Sequence, residues 1–305
     1  MSSSNIKTFL DFVEIQTKLA TIFPLLIALA YVFYSTGTIN VVSTLIYIPA
    51  ALLLDMSVTA INNHMDKRET SEAPHYSRRT SLGLIWLMMT VSAVLGIYLV
   101  YLHGAVVFLA GAFAFFIGIT YTFGPAPISK SAYGEVAAGF TVGTVIMFIV
   151  VSINSPNFQP IILTFNQSEM RLLMDIDIVR LVSFFIVTLP VALCIANILL
   201  ANNICDSEAD REYRYTLVHH IGRSNALSLF AALYYGAYVL IAAASILGLI
   251  PLWSLLTLVT FVPVRKNIQR FFENQSKSKT FSLSVKSFVL ISSTYALSMV
   301  VGRFL

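Results

Sequence analysis

The chain has 305 residues, of which 57% are hydrophobic and only 11% are charged, and its formal net charge at pH 7 is +4. Soluble domains carry about 25% charged residues, so this composition excludes a soluble globule and predicts an all-α polytopic membrane protein. The two cysteines, Cys194 and Cys205, are too few for a disulfide framework or a cysteine-based zinc site.

Apolar runs long enough to cross a bilayer, which takes about 20 helical residues, recur along the whole sequence. The stretch 226–264 is too long for one crossing, and we divide it at Gly248 and Pro251 because these residues interrupt helices. The predicted spans are 19–36, 39–61, 82–102, 104–123, 134–153, 181–201, 226–247, 250–264 and 284–304. The sequence therefore predicts about nine transmembrane helices in one membrane domain over residues 1–305.

Lysine and arginine residues are distributed unequally between the two sides of this arrangement. The N-terminus and the loops after spans two, four, six and eight contain all 19 except Arg171, Arg180 and Arg303. Because positively charged loops remain in the cytoplasm, that side is predicted to be cytoplasmic. The loop 154–180 on the other side mixes polar and apolar residues, and we expect a short interfacial helix in it.

Two similar acidic motifs follow spans two and six, on the same predicted side. Motif 1 (residues 62–72) begins Asn-Asn-His-Met-Asp, and motif 2 (residues 202–217) begins Asn-Asn-Ile-Cys-Asp. Two matched motifs at equivalent positions indicate an internal repeat of two halves that face each other, with four helices in each repeat.

Helical spacing gives each motif an oxygen-rich face, because side chains three or four positions apart are neighbours. Asp55, Thr59, Asn62 and Asp66 form one such series; Asn203, Asp206 and Asp210 form the other. Carboxylate and amide oxygens are the ligands that Mg²⁺ prefers, and Mg²⁺ commonly bridges to phosphates. The sequence therefore predicts a Mg²⁺ site between the two motifs.

Asp55 lies well inside span two, where an acid costs about 2.5–3.5 kcal/mol on the insertion scale. We therefore expect its side chain to face the bundle interior or a wet cavity. Intramembrane acids also mark the ion paths of transporters, and charged loops can simply be solvated ends of spans. Two matched loops make simple solvation less favoured, and their position outside the spans argues against a cation-coupled transporter.

Motif 2 and two other stretches resemble the UbiA superfamily of intramembrane prenyltransferases. Residues 202–211 resemble the Asn-Asn-x-Arg-Asp-x-x-x-Asp motif of the branch that prenylates 1,4-dihydroxy-2-naphthoate in menaquinone synthesis. Residues 121–128, with Gly134 and Glu135, resemble the segment after the family's fourth helix, and Lys18 fits its first helix. The resemblance covers most of the chain.

The sequence departs from the family pattern mainly in motif 1. Asn63 stands where the family usually has Asp, and Thr70 stands where a further Asp is common. Glu69 and Glu72 are the candidate substitutes. In motif 2, Cys205 replaces the usual Arg. We expect a weaker first metal site or an altered choice of substrate.

The resemblance implies a UbiA-like bundle and a Mg²⁺-dependent transferase. Asp66, Asp206 and Asp210 would be the catalytic carboxylates, and together with Asn62 they would hold Mg²⁺ against the diphosphate of a polyprenyl donor. An aromatic ring would then attack the allylic cation. With 1,4-dihydroxy-2-naphthoate as acceptor, CO₂ would leave and demethylmenaquinone would form; another acceptor, such as 4-hydroxybenzoate, stays open.

Further polar residues are candidates for substrate binding. They are Asn202, Asn203, Lys130, Arg68, Arg214, Tyr121, Lys18 and Glu72. The cations would meet diphosphate charge, and the ring of Tyr121 would stabilise the allylic cation. Lys18 would face an acceptor carboxylate, or would extend to the lipid headgroups as lysines at helix ends do. The expected location is the bacterial cell membrane, surrounded by lipid, with no nucleic-acid partner.

Overall fold

The long apolar runs of the sequence form helices in the computed structural model, which describes residues 3–70, 76–155, 160–166, 170–209 and 214–305. The helices are α1 (Ser3–Phe12), α2 (Leu19–Thr36), α3 (Val41–Thr70), α4 (Arg78–His103), α5 (Ala105–Thr122), α6 (Gly134–Phe140), α7 (Ile146–Asn154), α8 (Ile178–Asp206), α9 (Leu217–Ile221), α10 (Arg223–Ile246), α11 (Phe261–Glu273) and α12 (Phe281–Val301). A π-helical turn, Thr141–Val145, joins α6 to α7.

Eight helical segments of the described chain are long and apolar enough to cross a membrane. They correspond to predicted spans one to seven and nine, and α6 and α7 together form the fifth of them, Gly134–Asn154. The protein is therefore an all-α polytopic membrane protein, as predicted. α3, α4 and α8 extend beyond the predicted spans because their ends continue as helix into polar sequence.

The predicted span 250–264 has a different form from the others. A 3₁₀ helix, Leu252–Thr260, leads directly into α11. With rises of about 2.0 Å and 1.5 Å per residue, residues 252–273 extend for about 37 Å, enough to cross a hydrocarbon core of about 30 Å. Pro263, in the first turn of α11, lacks the backbone N–H that an α-helix would bond to residue 259.

α11 continues past the apolar run because it keeps a narrow apolar stripe. Val264, Ile268 and Phe271 are buried at a spacing of four and three, whereas Arg265 and Lys266 are exposed. Hydropathy alone therefore ends the predicted span at 264, about two turns before the helix ends.

Contacts at the two ends of the bundle fix the direction of this crossing. A Cβ built on Gly302, just after α12, would lie 2.3 Å from Pro251. At the other end, Arg223 at the start of α10 donates to Gln275 just after α11, and Lys277 pairs with Asp206 at the end of α8. Residues 252–273 thus cross the bundle, which agrees with the nine crossings predicted.

The loops after α5, α8 and α11 meet at one end of the bundle, which we call the motif end. The backbone N–H of Tyr215, in the loop after α8, donates to the carbonyl of Lys130, in the loop after α5, at 3.1 Å. Arg223 also pairs with Glu208 at 3.2 Å. Direct contacts therefore join the loops after α5, α8 and α11 at one end of the bundle, which is the common side that the sequence predicts.

The prediction of a short helix in the loop 154–180 is wrong, because the described part of this loop forms a hairpin. β1 (Ile161–Asn166) pairs antiparallel with β2 (Arg171–Ile176), and Ile161 lies opposite Ile176. β1 (IILTFN) is rich in β-branched and aromatic residues, which favour a strand, whereas β2 (RLLMDI) contains helix-favouring leucines and methionine and takes the strand form by pairing with β1. Asp177 then caps α8 by accepting a hydrogen bond from the N–H of Arg180 at 3.0 Å.

The fifth and sixth spans approach each other closely because glycine leaves room for the facing backbone. A Cβ on Gly139 would lie 2.7 Å from the carbonyl oxygen of Ala192 on α8, and a Cβ on Gly143 would lie 2.4 Å from the Cα of Ala192. This contact holds the middle of α8 against the fifth span.

A methyl group at position 143 is expected to destabilise the protein. The atoms it would meet belong to the backbone of α8 and cannot rotate away, and overpacking typically costs about 1–3 kcal/mol. Gly143→Ala should therefore lower the melting temperature in detergent. Gly83→Ala, whose Cβ meets no atom within 4 Å, should melt at or slightly above the wild-type temperature. Equal melting of the two variants would contradict this packing.

Candidate active site

A cavity of about 1160 Å³ lies within the bundle, lined by residues of α2, α3, α4, α5, α7, α8 and α12. Its wall is mostly aliphatic, and along α5 it extends from Val107 to Tyr121, which is about 21 Å at 1.5 Å per residue. Gly96 and Gly111 line it where an added Cβ would meet no atom within 4 Å. The cavity therefore accommodates a long apolar ligand parallel to the helices.

Polar and cationic residues line the motif end of this cavity. They include Asn62, Asn202, Asn203, Arg214 and Lys286, and the acid Glu14 also lines the cavity. The combination of an apolar wall with a cationic end suits an amphiphile that has an anionic head and a hydrocarbon tail. Sequence reasoning did not single out Lys286, because its charge is explained equally well by membrane topology.

Motif 1 is presented by the last turns of α3. Asn62 lines the cavity, whereas Asn63 turns toward α1 and donates from Nδ2 to the carbonyl oxygen of Phe12 at 3.0 Å. An aspartate at 63 could not donate this hydrogen bond, so the departure from the family pattern has a structural role in docking α1. Asp66 follows one turn after Asn62 on α3.

Four of the predicted site residues fall in places that the structure does not fully describe. The side chains of Asp66 and Arg68 lie outside the described part of α3, and Glu72 and Asp210 lie outside the described residues altogether. Their predicted roles in metal, catalytic and substrate contacts stay predictions.

Motif 2 is presented by the last turns of α8. Asp206 ends this helix with its side chain 21% exposed, and it pairs with Lys277. Asn203 is buried and donates from Nδ2 to Oε1 of Glu135 at 2.8 Å. The other carboxylate oxygen of Glu135 has no hydrogen-bond partner among the described residues. Glu135 therefore orients the Asn203 amide at the base of the motif.

The loop that follows motif 2 is anchored by a histidine. Nε2 of His219 donates to the carbonyl of Ser207 at 2.9 Å, and Nδ1 accepts from the backbone N–H of Thr216 at 3.2 Å. The same loop places Arg214 beside the cavity, within electrostatic range of Tyr121 on α5. Tyr121 and Arg214 are thus brought together as predicted site residues, and Lys130 lies on the adjoining loop.

Lys18 is buried rather than extended to the headgroups. It is 1% exposed, and its Nζ donates to Oδ1 of Asp55 at 2.9 Å, to Oγ1 of Thr59 at 2.6 Å and to the carbonyl of Asp55 at 3.3 Å. Thr21 donates to Oδ2 of Asp55 at 2.7 Å. Asp55 lines the cavity with its side chain 27% exposed, as its depth in the span predicts.

The oxygen atoms available at the motif end are of the chemical type that binds Mg²⁺. Asn62 and Asp206 supply amide and carboxylate oxygens, which are hard ligands suited to this cation. The described residues contain no group of three or more His, Cys, Asp or Glu side chains arranged to hold a metal; the carboxylates of Asp66 and Asp210 belong to the part outside that description. Of the four predicted ligands, Asn62 lines the cavity and Asp206 pairs with Lys277 at the end of α8; the metal-binding role of all four stays a prediction.

The sequence matches the model of the UbiA prenyltransferase family over residues 21–291. It is 28% identical over 194 residues to 1,4-dihydroxy-2-naphthoate octaprenyltransferase of Bacillus subtilis (strain 168). That alignment covers 63% of this chain and 54% of the relative, so the chain spans about half the relative's length.

Solved structures share the fold at low sequence identity. A UbiA homolog from Archaeoglobus fulgidus bound to GPP and Mg²⁺ has a TM-score of 0.67 and 13% identity, covering 98% of this chain and 100% of that one. The apo UbiA homolog from Aeropyrum pernix K1 has a TM-score of 0.67 and 17% identity, covering 92% and 98%.

Proposed function

Because the chain belongs to the UbiA prenyltransferase family, we propose that it transfers a polyprenyl group from its diphosphate to a small aromatic acceptor within the membrane. The observation that carries this proposal is the cavity of about 1160 Å³, whose apolar wall ends at both motifs. A polyprenyl diphosphate has the same division, with a hydrocarbon tail and an anionic head.

The proposed acceptor is 1,4-dihydroxy-2-naphthoate, whose prenylation with loss of CO₂ and a proton leaves the hydroquinone form of demethylmenaquinone; a separate two-electron oxidation then gives the quinone. Motif 2 resembles the branch that uses this acceptor, and the Bacillus subtilis relative is named for it. We place the motif end in the cytoplasm of a bacterial cell, because positively charged loops remain on that side.

Asn62, Asp66, Asp206 and Asp210 are the proposed ligands for Mg²⁺, which when bound neutralises diphosphate charge and assists its departure. Arg214 and Lys286 add fixed positive charge at the same end of the cavity, where low polarity strengthens their attraction to the leaving group.

The remaining residues orient the head group and protect the reactive carbon. Glu135 holds the Asn203 amide in one orientation through their 2.8 Å hydrogen bond. The face of the Tyr121 ring is suited to stabilising an allylic cation. The aliphatic wall excludes water, so that the aromatic ring rather than a water molecule captures the cation.

A direct transfer assay tests the proposal. Purified protein in detergent would be given a labelled polyprenyl diphosphate and either 1,4-dihydroxy-2-naphthoate or 4-hydroxybenzoate, with Mg²⁺ or with EDTA. We expect a prenylated product from the naphthoate, with release of CO₂, only when Mg²⁺ is present. Product from 4-hydroxybenzoate alone would overturn the acceptor assignment. If no aromatic acceptor gave a product, the proposal would be overturned and the alternative, a cation-coupled transporter, would be favoured.

A further inference from the structure

We infer that Asp55 binds a hydroxyl group of the aromatic acceptor, and that Lys18 positions Asp55 instead of binding substrate itself. This inference rests on the proposed transfer reaction and deepens it. It replaces the sequence-based expectation that Lys18 faces an acceptor carboxylate with a subsite of the opposite charge.

The hydrogen bonds of Lys18 leave it no capacity for a ligand. A lysine ammonium has three protons, and the three oxygens within reach of Nζ, on Asp55 and Thr59, match that number. At 1% exposure the side chain is also closed off from the cavity. A substrate carboxylate could reach Lys18 only by displacing Asp55.

The carboxylate of Asp55, in contrast, retains capacity toward the cavity. Its two oxygens offer about four lone-pair positions, and among the described residues Oδ1 accepts from Lys18 and Oδ2 accepts from Thr21. The side chain is 27% exposed and lines the cavity. An ionised carboxylate only accepts hydrogen bonds, so the ligand atom that meets Asp55 must be a donor.

The position of Asp55 along α3 is suited to an acceptor next to the donor's first carbon. Asp55 lies seven residues before Asn62 on one face of the helix, which is about 10 Å deeper in the cavity. On the same helix, α3 contributes four largely apolar side chains to the cavity wall near Asp55: Tyr47, Ala51, Leu54 and Val58. These side chains can pack against the face of an aromatic ring, while the edge of the ring presents a hydroxyl group to Asp55.

This arrangement has a chemical consequence for the ring. A hydroxyl that donates to a carboxylate in a poorly polar site gains electron density on its oxygen and conjugated carbons, which favours attack on an allylic cation. A carboxylate at the same place would be repelled by Asp55. The subsite therefore selects hydroxylated aromatic acceptors and directs any acceptor carboxylate away from it.

The test compares inhibition by two analogues, 4-hydroxy-2-naphthoate and 2-naphthoate, which differ only in the hydroxyl; position 4 is chosen because a hydroxyl there is not next to the carboxylate and is free to donate to Asp55. We expect the wild type to bind the hydroxylated analogue about ten- to a hundredfold more tightly, as for a hydrogen bond to a charged group. In Lys18→Met/Asp55→Leu, which removes both charges together, the ratio should fall to about one, with the KM for the donor unchanged. Asp55→Asn should give an intermediate ratio.

Asp11→Asn is the matched control, because it makes the same charge change on the exposed surface of α1. It should keep the wild-type ratio. An active wild type whose ratio is unchanged in both Asp55 variants would overturn this inference and leave the proposed function intact. An inactive wild type would overturn the proposed function and this inference together.

Discussion

Replacing Asp206 by asparagine is expected to reduce turnover by about 10²–10³-fold, the usual effect of removing one group that stabilises developing charge. Asn keeps the shape of the side chain but lacks the negative charge that attracts a divalent cation. The side chain lies at the end of α8, is 21% exposed and pairs with Lys277; a pair this exposed contributes about 0–1 kcal/mol to stability. The loss should therefore be catalytic and not structural.

Initial rates at increasing Mg²⁺ check this expectation, together with the melting temperature of each variant. Asp206→Asn should need more Mg²⁺ for half-maximal rate. Asp177→Asn is the matched control, since it makes the same change at the opposite end of α8 and asparagine still caps the helix. Wild-type turnover in Asp206→Asn would contradict the assignment of motif 2 to the metal.

Replacing Lys18 by methionine is expected to lower the free energy of unfolding by about 3 kcal/mol. Removing one partner of a buried ion pair leaves the other charge uncompensated, which costs about 3–5 kcal/mol, and the partial exposure of Asp55 to the cavity places the effect near the lower value. Lys18→Met/Asp55→Leu should recover most of this loss, because no isolated charge remains in the bundle.

Unfolding by heat or denaturant in detergent micelles measures these differences. Lys266→Met, which removes a charge from the exposed side of α11, should be within about 0.5 kcal/mol of wild type. If the single and double variants at positions 18 and 55 were equally destabilised, the ion pair would not be the reason for the loss.

The helices and the polar face of α3 could be predicted because both depend on local sequence. A run of about 20 apolar residues requires a helix wherever lipid is the solvent. The series Asp55, Thr59 and Asn62 lies on one face for the same helical reason, and the structure places all three along the cavity.

The parts that could not be predicted depend on contacts between distant segments. Lys18 and Asp55 are 37 residues apart, and Lys277 and Asp206 are 71 apart; no spacing rule connects such pairs. The extension of α11 past residue 264 and the β hairpin were not predicted for a different reason. Each has a weak or mixed hydropathy pattern, and tertiary packing decides its form.

A structure of the protein with Mn²⁺ in place of Mg²⁺ and a non-hydrolysable polyprenyl thiolodiphosphate would locate both parts of the donor at once. We expect the anomalous signal of Mn²⁺ between motif 1 on α3 and motif 2 on α8, next to Asn62 and Asp206. The hydrocarbon tail should follow the wall formed by α4 and α5, past Gly96 and Gly111. A diphosphate or Mn²⁺ bound at the opposite end of the bundle, or a tail outside this cavity, would contradict the proposed site.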